Sequence, residues 1–277
     1  MTKISAAEVN KLRKATGAGM MDCKKALTEA EGDFDKAVKI IREKGMAVAN
    51  KRSEREASEG VVLAKTSDDK KKGFIISLNC ETDFVAKNDD FVGLAEKILQ
   101  VAMDKEPATK EELLKQPMED GKTVEERIIE QTGIVGEKLE LSYYDKLSAD
   151  QVTAYIHGDK KLSTLISLNK AGIDEQVGKD VAMQVAAMNP VAVDKDQVPQ
   201  EVIDQEIEIG KKQAEKEGKP ENLLEKIAMG KLNKYFKENT LLNQEFIKEG
   251  KMTVKQYLEN TDKELTVLDF KRYSLKQ

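Results

Sequence analysis

Tryptophan is absent from this 277-residue sequence, and aromatic residues make up only 5% of it. Stacking platforms for unpaired bases are therefore scarce. Histidine occurs once, at His157, so a nucleophile–histidine–acid triad would have to be built around that position alone. The two cysteines, Cys23 and Cys80, stand apart in apolar patterns, and no CxxC or HExxH spacing occurs. That removes the common zinc arrangements and favours two reduced, buried thiols over a disulfide. No stretch approaches the ~18 apolar residues of a membrane span, and the opening MTKISAAEVNKLRK lacks the apolar centre of a secretory signal. A P-loop GxxxxGK[ST] is missing, and Gly17-Ala18-Gly19 has neither the third glycine nor the preceding strand of a dinucleotide fingerprint. Basic excess is missing too: 46 Lys+Arg face 51 Asp+Glu, a net charge of −5. Bulk nucleic-acid binding, which depends on neutralising phosphates, is disfavoured. These absences predict a cytoplasmic protein with no cofactor, no metal, no direct nucleic-acid partner and no membrane partner.

What is present is a core and a densely charged surface, with 39% hydrophobic and 35% charged residues. Ser5 and Glu8 have capping-box spacing and predict the start of a helix carrying Val9 and Leu12. Thr16 to Gly19 break it. Asp22 is a candidate cap for a second helix with Cys23, Ala26 and Leu27, and Asp33 for a third with Phe34, Ala37, Val38 and Ile41. Three short helices in so few residues predict a small bundle. A charged, small-residue stretch follows as a linker or solvated helix. Strand patterns at VVLAK (61–65) and Phe74 to Cys80, and a helix with Phe91, Leu94, Ala95, Ile98 and Leu99 on one face, come next.

A weak repeat then surfaces. IISLNC at 75–80 is echoed by LISLNK at 165–170, each preceded by a strand pattern and followed by a helix pattern. The prediction is an α+β fold with two similar core subdomains, each a small antiparallel hairpin sheet covered by helices. Residues 199–238 form two charged amphipathic segments around Gly218-Lys219-Pro220, an antiparallel helical hairpin that either protrudes or folds back on the second subdomain. The predicted boundaries are 1–45 for the helical domain, 46–59 for the linker, 60–140 for the first core subdomain, 141–198 with 239–277 for the second, and 199–238 for the inserted hairpin.

Two places stand out as contact surface. Arg13 with Met20 and Met21 flanks the first inter-helix turn, where methionines make an adaptable apolar patch; one methionine is expected to plug the bundle and the other to face solvent. The second is Asp83-Phe84 in NCETDFVAKN (79–88), at a strand-to-helix turn. Local physics alone favours Asp83 as a cap and Phe84 packed on its own sheet.

LRKATGAGMMDCKKALTEAEGD (12–33) together with NCETDFVAKN (79–88) closely resembles the bacterial elongation factor Ts family. The resemblance spans nearly the whole chain. It implies a ubiquitin-associated-like N-terminal three-helix domain, a two-part core and an inserted coiled-coil hairpin through which two copies associate in some relatives. It implies nucleotide exchange on the GTPase elongation factor Tu, with no catalytic site of the chain's own. Thr82, Asp83, Phe84 and Val85 match the family's TDFV motif; by resemblance Phe84 is the wedge that dislocates bound Mg²⁺ in the partner. Arg13, Met20 and Met21 belong by resemblance to the N-terminal contact, and His157 to a contact of the second subdomain. Gln184 falls where the family often has a histidine, and no role carries over to it. One rival is a non-catalytic ubiquitin-associated-type adaptor that binds a protein without changing its nucleotide state; a second is an enzyme using His157 or paired carboxylates in a subdomain cleft, against which stands the lack of a recognisable constellation.

Overall fold

Three helices lead into mixed helix and strand in the computed structural model, which describes residues 4–275. Residues 1–3 and 276–277, counted in the predicted terminal domains, lie outside the described residues. The chain divides into two units.

The first unit holds residues up to Leu63 together with Ile76–Asp145. Helix α1 (Ala6–Thr16) begins at the predicted capping box: the Glu8 N–H donates to Ser5 Oγ and the Ser5 N–H to Glu8 Oε2. Gly17, at φ 73°, ends it in the left-handed conformation that a side chain would resist. Helix α2 (Met20–Glu29) starts on Gly19 with no side-chain cap, so Asp22 is not the cap expected of it. It lies in the first turn, where a carboxylate still favours the positive end of the helix dipole. Asp33 does cap α3 (Phe34–Arg52), accepting from the Lys36 N–H at 3.0 Å. Leu12, Cys23, Ala26, Leu27, Ala37 and Ile41 form the bundle core.

Helix α3 runs further than its apolar pattern predicts and carries the first part of the expected linker stretch to Arg52. Tertiary contact explains this, because Gly45 is buried against Gly133 of α7 (Val124–Val135). The order of the elements before α7 is β1 (Glu59–Thr66), β2 (Lys72–Cys80), α4 (Asp83–Ala86), α5 (Asp89–Lys105) and α6 (Lys110–Leu114). Strand β3 (Glu140–Ser148) follows α7 and completes a sheet of order β1-β2-β3. The expected two-stranded hairpin is thus three-stranded. Strand β3 escaped prediction because its buried positions, Leu141, Tyr144 and Leu147, recur every third residue rather than every second.

The second unit holds Ala64–Ile75 and Lys146–Ser274. Strands β4 (Gln151–Ile156), β5 (Leu162–Leu168) and β6 (Val267–Ser274) form an antiparallel sheet of order β4-β5-β6. The first echoed stretch therefore lies within β2 and the second ends β5 with its residues 165–168, the middle strands of their sheets. Helix α8 (Glu175–Met188) packs on β4 and β5, and Ile166, Leu168, Val181, Val185 and Leu258 anchor the core. Helices α9 (Gln200–Lys216) and α10 (Glu221–Asn239) form the predicted hairpin, closed along a seam of Gly210, Ala214, Ala228 and Leu232. The hairpin returns through a parallel bridge, Ala192 to Thr240, and α11 (Val254–Thr261) precedes β6.

One buried charge fastens this core. Asp180 on α8 accepts from Gln176 Nε2 at 2.6 Å, Lys248 Nζ at 2.5 Å and Tyr257 Oη at 2.9 Å. Burial pushes its pKa up, but the three donors outweigh burial and hold the carboxyl below its ordinary value. A depressed carboxylate pKa stabilises the fold above the unfolded value, and that stability is lost as pH falls through the folded one. Asp180→Asn is accordingly expected to cost about 2 kcal/mol at neutral pH. In urea titrations across a pH series, its deficit against wild type should shrink as the pH drops below about 4. A deficit that stays constant with pH would assign the loss to packing instead.

Candidate partner-binding surface

Strand β2 delivers the chain to residue 81 with its side chains buried almost throughout. The turn that follows is held from both sides. Thr82 is the N-cap of α4, accepting from the Val85 N–H at 3.4 Å. The cap is therefore Thr82 and not Asp83, which instead pairs with Lys87 at 2.7 Å one turn on. Glu137 accepts both the Thr82 N–H, at 3.0 Å, and the Thr82 Oγ–H, at 2.7 Å. Next to it, Glu81 accepts the Lys138 N–H at 2.6 Å and Arg52 Nη1 at 2.7 Å, with Arg55 Nη1 at 3.3 Å. Burial works to raise the Glu81 pKa, and these donors bring it below the ordinary value.

On this pinned turn the Phe84 ring is 82% exposed, while Ala86, two residues on, is buried. The packed Phe84 favoured by local physics is not what forms. A four-residue helix has too few positions to bury both faces, and its inward side is taken by Ala86. Asn88 then caps α5 through the Asp90 N–H at 2.8 Å, so the turn is fixed at its far end as well. An apolar ring held out on a rigid turn is the geometry of a group that fills a partner's cavity.

The bundle offers a second surface. Met20 and Met21 are 53% and 65% exposed, and Arg13 is exposed on α1. The expectation of one buried and one exposed methionine fails, because Cys23, Ala26 and Leu27 already fill the inward face of α2. Lys14 to Gly17 of the same turn share an open groove of about 350 Å³ with Asp89, Asp90 and Gly93, at the start of α5. In the other unit, His157 is exposed in the β4–β5 turn, with its Nδ1 3.1 Å from Tyr155 Oη. Gln184 is buried, donating to Gln244 Oε1 and the Glu245 carbonyl and accepting from the Ile247 N–H. It is part of the core and presents nothing to a partner. Among the described residues, no three His, Cys, Asp or Glu side chains come together to hold a metal, and no helix is long and apolar enough to cross a membrane.

Comparison with known proteins settles the relationship. The family model described as elongation factor TS matches residues 81–277. A Porphyromonas gingivalis protein named elongation factor Ts is 54% identical over 270 residues, covering 97% of both chains. This chain belongs to the elongation factor Ts family. Elongation factor Ts proteins from Christiangramia forsetii and Cytophaga hutchinsonii are each 52% identical over 277 residues, covering 99% of this chain and 100% of theirs.

Within this elongation factor Ts chain, sequence reasoning missed the residues that hold the turn: Glu81, Glu137 and Arg52. Glu137 lies 55 residues from Thr82. In a chain with 51 carboxylates, no local pattern distinguishes it. The nearest signal is the glutamate beside the TDFV motif, which a strand burying nearly every residue leads directly into.

Proposed function

We propose that this protein is a guanine nucleotide exchange factor for elongation factor Tu, acting during translation elongation. The observation that carries the reading is the Phe84 ring, 82% exposed on a turn whose root is fixed by Glu81 and Glu137. Thr82 to Val85 bind the GTPase, Phe84 enters an apolar slot, and the resulting shift dislocates the partner's Mg²⁺. Because Mg²⁺ bridges the nucleotide phosphates and the GTPase, its displacement weakens GDP. Coupling is reciprocal: a factor that weakens GDP is itself weakened by GDP, and ~3 kcal/mol corresponds to about 150-fold. Arg13, Met20 and Met21 add a contact from the N-terminal bundle, and His157 a weaker one from the second unit.

The same reading assigns the finer architecture. The bundle of residues 1–45 is ubiquitin-associated-like, followed by a linker. The core is a duplicated pair of subdomains, one carrying the β1-β2-β3 sheet and the other the β4-β5-β6 sheet, so the expected junction at 140/141 moves to the far side of β3. The α9–α10 hairpin is an inserted coiled coil available for pairing two copies. No catalytic step is assigned to the chain's own residues, and nucleic acid is not a direct ligand.

Release of fluorescent GDP from elongation factor Tu, followed with and without this protein, tests the proposal. Acceleration is the expected result. Binding without acceleration would favour the adaptor, a protein that engages its partner and leaves the nucleotide state alone.

A further inference from the structure

Resting on the exchange reading, we infer that Glu137 and Glu81 are positioning residues that aim the Phe84 ring, a two-carboxylate clasp at the root of the turn. Helix α4 has only four residues, and a single turn is not self-sustaining. The direction of its exposed ring must therefore be set by bonds from outside the turn. The described structure supplies them as two adjacent pairs. Glu137 takes both donors of Thr82, and Glu81 takes the backbone N–H of Lys138. Residues 81 and 82 are thus laced to residues 137 and 138 by reciprocal carboxylate bonds, the charge-assisted kind that fix orientation best.

The Glu81 Oε1 that accepts the Lys138 N–H also reaches the bundle helix. Glu81, whose side chain is 12% exposed, also holds Arg52, the last residue of α3. Helix α3 contributes Ala37 and Ile41 to the bundle core. The bundle that displays one candidate contact surface and the turn that displays the other are therefore tied through one carboxylate. Neither glutamate is given a contact with the partner. Both act through Thr82 and the ring, so their effect belongs in the rate of release more than in the strength of binding.

The test uses full-length protein with Glu137→Ala, Glu137→Gln and Phe84→Ala, and the double variant of Glu137→Ala with Phe84→Ala. GDP release is measured at rising factor concentration until it saturates. Glu137→Ala is expected to lower the saturating rate about tenfold, with the half-saturating concentration changed less than about threefold. Glu137→Gln keeps an acceptor oxygen and should recover part of the rate. In the double variant, Glu137→Ala should add nothing to Phe84→Ala, because the clasp works only through the ring. A saturating rate equal to wild type, or losses that multiply in the double variant, overturns the clasp while leaving exchange intact. No acceleration by wild type overturns the exchange reading and the clasp together. Should Glu137→Ala fail to fold, Glu137→Gln, which keeps the side-chain shape and one acceptor, is combined with Phe84→Ala, and the same criteria apply to it.

Discussion

Phe84→Ala is expected to remove most of the stimulated GDP release while leaving the protein as stable as wild type. The two halves of that expectation come from one number, the 82% exposure of the ring. A side chain that touches so little of its own chain has little to lose from truncation, and such surface changes stay within about 0.5 kcal/mol. The ring's apolar surface is instead available to a partner. A central aromatic anchor is worth about 2 kcal/mol or more at an interface, which corresponds to about thirtyfold at 1.4 kcal/mol per decade. Stopped-flow release with equal concentrations of wild type and variant, alongside thermal unfolding of both, reads the two halves separately. Phe84→Leu should fall between them, since it keeps apolar bulk and loses the ring. Lys87→Ala, which breaks only the exposed pair with Asp83, should change release little, because such helix pairs contribute about 0.3–0.5 kcal/mol. Unimpaired release by Phe84→Ala would move the exchange site away from this turn.

The two surfaces were legible to different degrees. Thr82 to Val85 stand out in the sequence through the family resemblance, whereas local rules point the wrong way at this turn. They favour Asp83 as the cap and Phe84 as packed; the cap is Thr82 and the ring faces outward. The methionine pair shows the same limit. Helical spacing cannot tell Met20 from Met21 when Cys23, Ala26 and Leu27 suffice for the inward face of a ten-residue helix. Where periodicity is strong, the sequence reading holds: α1, α5, α8 and the α9–α10 hairpin are all found where their patterns lie. Where pairing is decided across the chain, it does not. Strand β3 has a three-residue burial rhythm, and Glu137 is chosen by a partner 55 residues away.

Gly133→Ala is expected to destabilise the first unit, against the intrinsic preference of the residue. Alanine favours a helix interior over glycine by about 1 kcal/mol, so an unobstructed position in α7 would gain. Gly133 is obstructed: a Cβ there would collide with the Gly45 Cα of α3. The obstacle is backbone, so no rotamer change relieves it and the two helices must separate along their crossing. Overpacking of this kind costs about 1–3 kcal/mol, occasionally more, which exceeds the propensity gain. Gly93→Ala, in the interior of α5, meets no atom within 4 Å and keeps the propensity term alone. Urea unfolding of the two variants should therefore give opposite signs, with Gly133→Ala below wild type and Gly93→Ala at or above it. The consequence for exchange follows from Arg52. Helix α3 carries both Gly45 and, at its end, the arginine that holds Glu81, so a displaced α3 loosens the root of the Phe84 turn. Gly133→Ala should lower the saturating rate of GDP release, in the direction of Glu137→Ala, although it touches neither the ring nor the clasp. Equal stability of Gly133→Ala and wild type would mean that the α3–α7 crossing yields freely, and that α3 does not hold the turn in place.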